Sequence, residues 1–442
     1  MMIRPEDVHP TLERSMLVDG YPFVFDIARS HGQYLHDART GRDFLDFFTF
    51  FASRPLAFDH PRLLTPEYDA RVLLAARTKP SNCDIYTQIY AEFVETFRNE
   101  ALGEGMKYLF FISGGALAVE NALKAAFDWK TRKNLAAGGV RAAVPGDQVL
   151  HFKHAFHGRS GYTLSLTNTA DPRKTEHFPK FGWPRVSSPA VVFDGIGEPD
   201  IAETERAEAE ALREIDEAYD RLGADRIAAI IIEPIQCEGG DRHFRPEFLT
   251  ALRKIADERE TLLVFDEVQV GMGSTGARWH YERLGVVPDI VSFAKRAQVG
   301  GIMAGPRLDE VDNVFKVGSR ISSTFAGNLV DMVRSQRNLE VRRDEHLLEN
   351  VRLRGDELLS ELRDLAHRVP AVTAPRGTGL ILAFDLPSRE ARRAFLQEVQ
   401  AAGLILLPCG ERSVRLRPAW DVSVADCRKA MDVIGDAAMR VL

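Results

Sequence analysis

The chain has 442 residues, 45% of them hydrophobic and 27% charged, with a formal net charge of −7. That length exceeds one compact core and predicts a large domain with a smaller one. The acidic balance excludes nucleic acid as the main partner, because phosphate binding needs a basic surface, and no apolar run is long enough to span a membrane.

The N-terminal stretch "MMIRPEDVHPTLERSM" lacks the apolar core of a signal peptide. Cys83, Cys237, Cys409 and Cys427 are scattered and form no C-x-x-C pattern. Both features predict a cytoplasmic protein with neither a disulfide framework nor a cysteine metal site. Residues 1–60 read as an N-terminal arm contributing to the small domain. "YLFFIS" from Tyr108 predicts a strand and "ALAVENALKAAFDWK" the helix after it. "QVLHF" from Gln148 is a second strand. The charged, alanine-rich helix "ETERAEAEALREIDEAYDRLG" leads to the strand "IAAIIIEP". The helix "FRPEFLTALRKIADERE" leads to "TLLVFDE", and "PDIVSFAK" is the next strand. Uniformly apolar strands separated by helices predict βα units in a mostly parallel sheet covered on both faces. This large domain is placed at 61–335. A long helical stretch, the strands "GLILAFDL", "LILLPCG" and "VRLRPAW", and a last helix then predict a smaller α+β domain at 336–442.

Polar residues at strand ends locate the chemistry, since ligands of such sheets sit at the carboxyl edge. Ser113, Gly114, Gly115 and Ala116 lie between a strand and a helix, where backbone N–H groups can take a phosphate; a plain tight turn has the same pattern. Asp266 ends a strand and can hold a cationic ring nitrogen, or serve as a cap or structural ion pair. In "HAFHGRSGYT", Phe156 can stack on a flat cofactor and Arg159 can clamp a carboxylate. His151, His154 and His157 follow one another at intervals that do not converge on one metal ion. Lys295 ends an apolar strand. It is either a snorkelling surface lysine or an amine that forms a Schiff base with an aldehyde cofactor. Taken together, a phosphate site, a stacking aromatic, an acid for a pyridinium and a lysine for an aldehyde describe pyridoxal 5'-phosphate.

With these residues in place, the chain resembles the class III (ω-) aminotransferases of the pyridoxal-phosphate fold type I superfamily. "FDEVQVGMGSTG" is similar to the family's DEVQTGFGRTG, and "PDIVSFAK" to its strand ending in the Schiff-base lysine. "FFTFFASRPL", "GGALAVENALKAAFDWK", "FHGRSGYTLSLTNT" and "EPIQCEGGDRHF" narrow the resemblance to the branch that moves the ε-amino group of L-lysine to 2-oxoglutarate. The resemblance implies an α/β fold with a mostly parallel seven-stranded sheet in the large domain. It implies that Lys295 carries the cofactor, Asp266 pairs with the ring nitrogen, Gln269 lies near the ring hydroxyl, and Gly115 and Ala116 hold the phosphate. Thr324 would reach the phosphate of a neighbouring subunit in a homodimer with shared sites. Phe156 would stack on the ring, and Phe51 would join the substrate contacts. Arg159 would bind the remote carboxylate of lysine and Arg415 the α-carboxylate of 2-oxoglutarate. Glu238 would be a gate that pairs with Arg415 while lysine is bound; the alternative is a fixed ion pair between domains.

Other donors for the same chemistry are ornithine and 4-aminobutyrate, and an isomerase on this fold is a further alternative. The chain also departs from the pattern of its branch. "FAKRAQVGG" stands where FGKKTQVCG is usual, which makes Ala294, Arg296, Ala297 and Gly300 different. Cys237 replaces a glycine beside Glu238, and "RPAW" replaces RPPL or RPAL. These changes bear on substrate preference and on the movement of the gate.

Overall fold

The computed structural model describes residues 3–442. Its centre is a seven-stranded sheet. In spatial order the strands are Tyr108–Ile112, Gly300–Ala304, Ile290–Phe293, Leu262–Asp266, Ile227–Ile232, Gln148–Phe152 and Arg185–Val186. Four of the six pairings are parallel; Gly300–Ala304 alone runs against the rest, as the two antiparallel pairings that flank it show. The mostly parallel seven-stranded sheet agrees with expectation. The reversed strand begins at the glycine pair after Lys295, so the chain turns back immediately beyond the lysine.

The apolar strands are buried on both faces with a period of two. Ile230, Ile232, Leu263, Phe265, Val291 and Phe293 face one core, with Phe248, Leu249 and Leu252 of the helix Pro246–Glu258. Ala229, Ile231, Leu262, Val264 and Ile290 face the other, with Val119, Ala122, Ala126 and Trp129 of the helix Gly115–Ala137. Two helix layers thus clamp the sheet and leave its carboxyl edge open.

A four-stranded antiparallel sheet of Thr373–Thr378, Ile381–Asp385, Ser413–Leu416 and Leu407–Cys409 lies further along the chain, with the helices Arg389–Ala401 and Val424–Val441. The strands Phe25–His31, Tyr34–Asp37 and Asp43–Asp46 form another sheet, joined in parallel by Leu404–Ile405. The N-terminal segment is therefore hydrogen-bonded to the C-terminal region. The division placed at 335/336 falls inside one continuous helix, Leu329–Asp344. The long helical stretch expected after it is two helices, Leu329–Asp344 and Leu347–Arg368, parted where His346 takes φ 51°.

Near the site, Thr49–Ala52 takes positive φ at all four residues, a single left-handed turn without glycine. L-residues resist this conformation, so neighbours must hold it. The Thr49 hydroxyl donates to the Arg417 carbonyl at 2.6 Å, and Asp46 accepts from the Phe48 and Thr49 amides at 2.9 and 2.7 Å.

Candidate active site

Five segments at the carboxyl edge line one cavity of about 540 Å³. Glycines 114 and 115 with Ala116 come from the first strand end, and 156–159 from the second. Glu233, then Asp266 with Val268 and Gln269, then Ala294 with Lys295, come from the next three.

The glycine-rich side of the cavity is built from absent side chains. Gly114 has φ 88° and no side-chain cap precedes the 23-residue helix Gly115–Ala137, so the first-turn amides keep free donors. A Cβ at Gly115 would lie 2.8 Å from Val268 Cγ1, and one at Gly300 would lie 2.6 Å from the Gly114 carbonyl oxygen. A side chain at either position would have to displace these neighbours, whereas a Cβ at Gly114 would project into open space. At Gly300, one of the departures, the reversed strand lies against the Gly114 backbone with no Cβ between them.

Asp266 is buried at its strand end. One oxygen accepts from His157 Nδ1 at 2.7 Å, which requires the Nδ1–H tautomer, and the other accepts from the Val268 amide at 3.0 Å. His157 Nε2 is buried without a partner. The histidine excluded as a metal ligand orients this carboxylate, and no group of three or more His, Cys, Asp or Glu among the described residues could hold a metal ion. Glu233 is a second carboxyl on the cavity wall that the sequence reading passed over. Burial, and then the charge of Asp266, hold it well above the usual carboxyl range, and it accepts from the Phe156 amide at 2.8 Å. Phe156 itself lines the cavity half-buried.

Lys295 takes φ 47° at the cavity floor. Gln298 holds that turn: its amide donates to the Lys295 carbonyl at 2.7 Å, and its side chain donates to the carbonyls of Lys295 and Ser53 at 3.1 and 2.7 Å. Burial pulls the Lys295 amine below the ordinary lysine range. Arg415 pushes the same way, while Asp266 and Glu233 oppose. Burial of this kind disfavours the charged form, and a place on the cavity lining is not that of a snorkelling surface cation.

The remaining expected residues fall in three groups. Arg159 lines the cavity with an exposed side chain. Gln269 also lines it, with Oε1 shared between Arg415 Nη1 at 3.0 Å and Arg417 Nε at 3.4 Å. Arg415 is buried, and its Nε has no partner. The expected Glu238–Arg415 pair is not made. Glu238 Oε1 instead accepts from Lys174 Nζ at 2.5 Å and Thr169 Oγ1 at 2.8 Å, because the loop carrying both lies against it. Phe51 and Thr324 are exposed and stand outside the cavity lining. Of the departures, Cys237 packs with Ile235, Val270 and Ile381 and is not among the residues that line the cavity.

The Aminotransferase class-III family profile matches residues 16–438. The chain belongs to the class III aminotransferases. Among curated members of the family it is 51% identical, over 98% of its own length and 95% of the other, to an L-lysine-epsilon aminotransferase of Mycobacterium tuberculosis. It is 46% identical, over 99% and 95%, to an L-lysine-epsilon aminotransferase of Streptomyces clavuligerus. A solved lysine aminotransferase from M. tuberculosis superposes with a TM-score of 0.95 at 49% identity, covering all of both chains. Class III aminotransferases are pyridoxal-phosphate enzymes. The glycine cradle with free amides, the oriented Asp266, the aromatic ring of Phe156 on the cavity wall and Lys295, whose charged form burial disfavours, fit that cofactor in charge and in chemistry.

Proposed function

We propose that this aminotransferase moves the ε-amino group of L-lysine to 2-oxoglutarate, giving 2-aminoadipate 6-semialdehyde and L-glutamate in a ping-pong cycle. The observation that carries the reading is the unequal pair of arginines: Arg159 exposed on the cavity wall and unpaired among the described residues, Arg415 buried behind a neutral Gln269. Lysine offers one carboxylate, far from its reacting amine. 2-Oxoglutarate offers one far and one adjacent. A site serving both must bind a far carboxylate always and a near one only in one half-reaction, which suits one open and one sheltered guanidinium. The full-length likeness to L-lysine-epsilon aminotransferases supports the choice of donor.

Bound pyridoxal phosphate supplies an aldehyde for amines and a ring that accepts the electrons of a breaking carbon–hydrogen bond. The chain supplies the rest. Gly115 and Ala116 would hold the phosphate through their amides, and Phe156 would lie against the ring. Asp266, oriented by His157, would balance charge on the ring nitrogen. Lys295 would hold the aldehyde, and its free amine would take the proton from the ε-carbon of lysine and give one back, as base and then acid. Glu238 covers Arg415 while lysine is bound, since a bare buried guanidinium beside the apolar lysine chain is costly. The homodimer with Thr324 reaching a neighbour's phosphate belongs to the same reading, as does action in the reducing cytoplasm, which four free cysteines suit. No described helix is long and apolar enough to cross a membrane.

A screen of L-lysine, L-ornithine and 4-aminobutyrate against 2-oxoglutarate, with products identified by mass, tests the reading. Lysine should be the best donor, with a product that cyclises. No turnover of lysine beside good turnover of ornithine would sink the choice, and reaction without a keto acid would favour an isomerase.

A further inference from the structure

A second cavity of about 620 Å³ meets the first at a single shared residue, Glu238. Its wall carries Arg173, Lys174, Arg389, Arg392 and Arg393 against only two carboxylates, Asp171 and Glu238. That local excess of positive charge stands against a chain of net charge −7. Two of the arginines are occupied: Arg173 by Asp171 at 2.9 Å, and Arg392 by the carbonyls of Cys409 and Gly410 at 2.7 and 3.2 Å. Arg389 and Arg393 are exposed and make no hydrogen bond or ion pair among the described residues. Lys174 sits at the junction, bonded to Glu238 and 5.8 Å from the Phe156 ring centroid.

We propose that this second cavity is an antechamber that captures a dicarboxylate, and that Lys174 is a positioning residue that keeps its passage to the active cavity open. The proposal rests on 2-oxoglutarate as the amino acceptor. A dianion approaching the active cavity meets Glu238 at the neck. A bare carboxylate there repels it and is free to swing to Arg415, the group the keto acid needs. Lys174 cancels the charge and holds the side chain back. The backbone of Glu238 cannot take part in that motion: its carbonyl accepts from the Gly410 amide at 2.7 Å, and the next residue, Gly239, lies so close to the His154 carbonyl that a Cβ would overlap it. Only the side chain can swing, and its Oε2 is buried without a partner. Arg389 and Arg393 raise the local concentration of the anion, an effect of long-range charge on association rate.

The test uses the full-length, cofactor-loaded protein and glutarate, a five-carbon dicarboxylate with no keto group, followed by stopped-flow through cofactor absorbance. R389A/R393A should lower the association rate about tenfold at low salt and flatten its dependence on ionic strength. Unchanged association in that variant, or failure of glutarate to bind the wild type, overturns the antechamber. Separately, K174M should slow the keto-acid half-reaction about tenfold more than the amine half-reaction, and by less than about twofold in an E238Q background, with K174R restoring the wild-type ratio. Equal losses in both backgrounds overturn the link through Glu238. If the wild type binds glutarate through Arg389 and Arg393 yet does not turn over 2-oxoglutarate, the acceptor reading fails and the anion site stands.

Discussion

The Arg296 guanidinium lies over the Trp420 indole, 5.8 Å from its centroid, and donates to the carbonyl of Pro418 at 2.5 Å. Both residues stand where the chain departs from its branch, so two changes far apart in sequence meet in one buried contact. Burial pulls Arg296 down to about 9, and two of its nitrogens have no partner. The indole face is part of what replaces water around that cation. A double-mutant cycle of R296K and W420L, read as melting temperature, should give a coupling of about 0.5–2 kcal/mol. Additive losses would show that the two substitutions are unrelated.

Lys295 is the one amine at the cavity floor, and its low proton affinity comes from burial rather than from a partner it could share. K295A should lose multiple turnover by more than about a thousandfold. It should bind the cofactor in a form that dialysis removes, with the melting temperature of the apoprotein little changed. Turnover retained in K295A would end the proposed chemistry.

His157 fixes Asp266 through one short bond, inside a cavity where neither side chain reaches bulk water. H157F removes the donor and nearly keeps the volume. The freed carboxylate oxygen then loses its orientation, and kcat should fall roughly ten- to a hundredfold with little change in KM for the donor. A shift in the absorbance maximum of the bound cofactor should accompany it. A fall in stability with normal kcat would make His157 structural only.

The large sheet was legible because its strands are short apolar runs bounded by turn signals, and Lys295 drew attention because burial of an ammonium after such a run demands a reason. Glu233 was hidden: a glutamate followed by proline after "IAAIII" reads as a strand stop, and only the fold brings it to the cavity wall. The partner of Glu238 was hidden for the same physical reason. Lys174 sits in a polar loop whose sequence has no period, so nothing local announces that it lies beside a residue 64 positions away. The left-handed turn at Thr49–Ala52 has no glycine or asparagine to mark it; long-range bonds from Asp46 and Arg417 impose it.

Arg159 and Arg415 differ in setting, and their loss should separate the two half-reactions. R159A would remove the contact proposed for the remote carboxylate that both substrates share, so KM should rise about ten- to a hundredfold for L-lysine and 2-oxoglutarate alike. R415A should weaken 2-oxoglutarate by a similar factor while changing KM for lysine less than about threefold. Single-turnover spectra of each half-reaction give both comparisons. Equal damage to both half-reactions by R415A would deny it a selective role.

Glu267 follows Asp266 directly but turns into the core, where its oxygens accept from the His280 and Tyr281 amides at 2.7 and 2.8 Å and so cap the helix His280–Leu284. Burial pushes its carboxyl from an ordinary 4.5 up to about 8, against the pull of those two bonds. The sign of the consequence is fixed. Between those values the unfolded chain has released the proton that the folded chain keeps, so the folded state binds more protons and stability falls as pH rises. The contribution is complete below an unfolded pKa of about 4.5 and gone above a folded pKa of about 8. E267Q carries no charge at any pH and can accept only one of the two amides, which costs about 1 kcal/mol where the wild-type acid is protonated. Melting temperatures of the two proteins should therefore differ most near the acid end of this window, with the wild type ahead. The gap should close or reverse toward the alkaline end, where the wild type must either ionise a buried carboxyl or hold its proton against the solvent. Parallel profiles across the window would mean that Glu267 titrates as it does in water, and that its burial carries no electrostatic penalty.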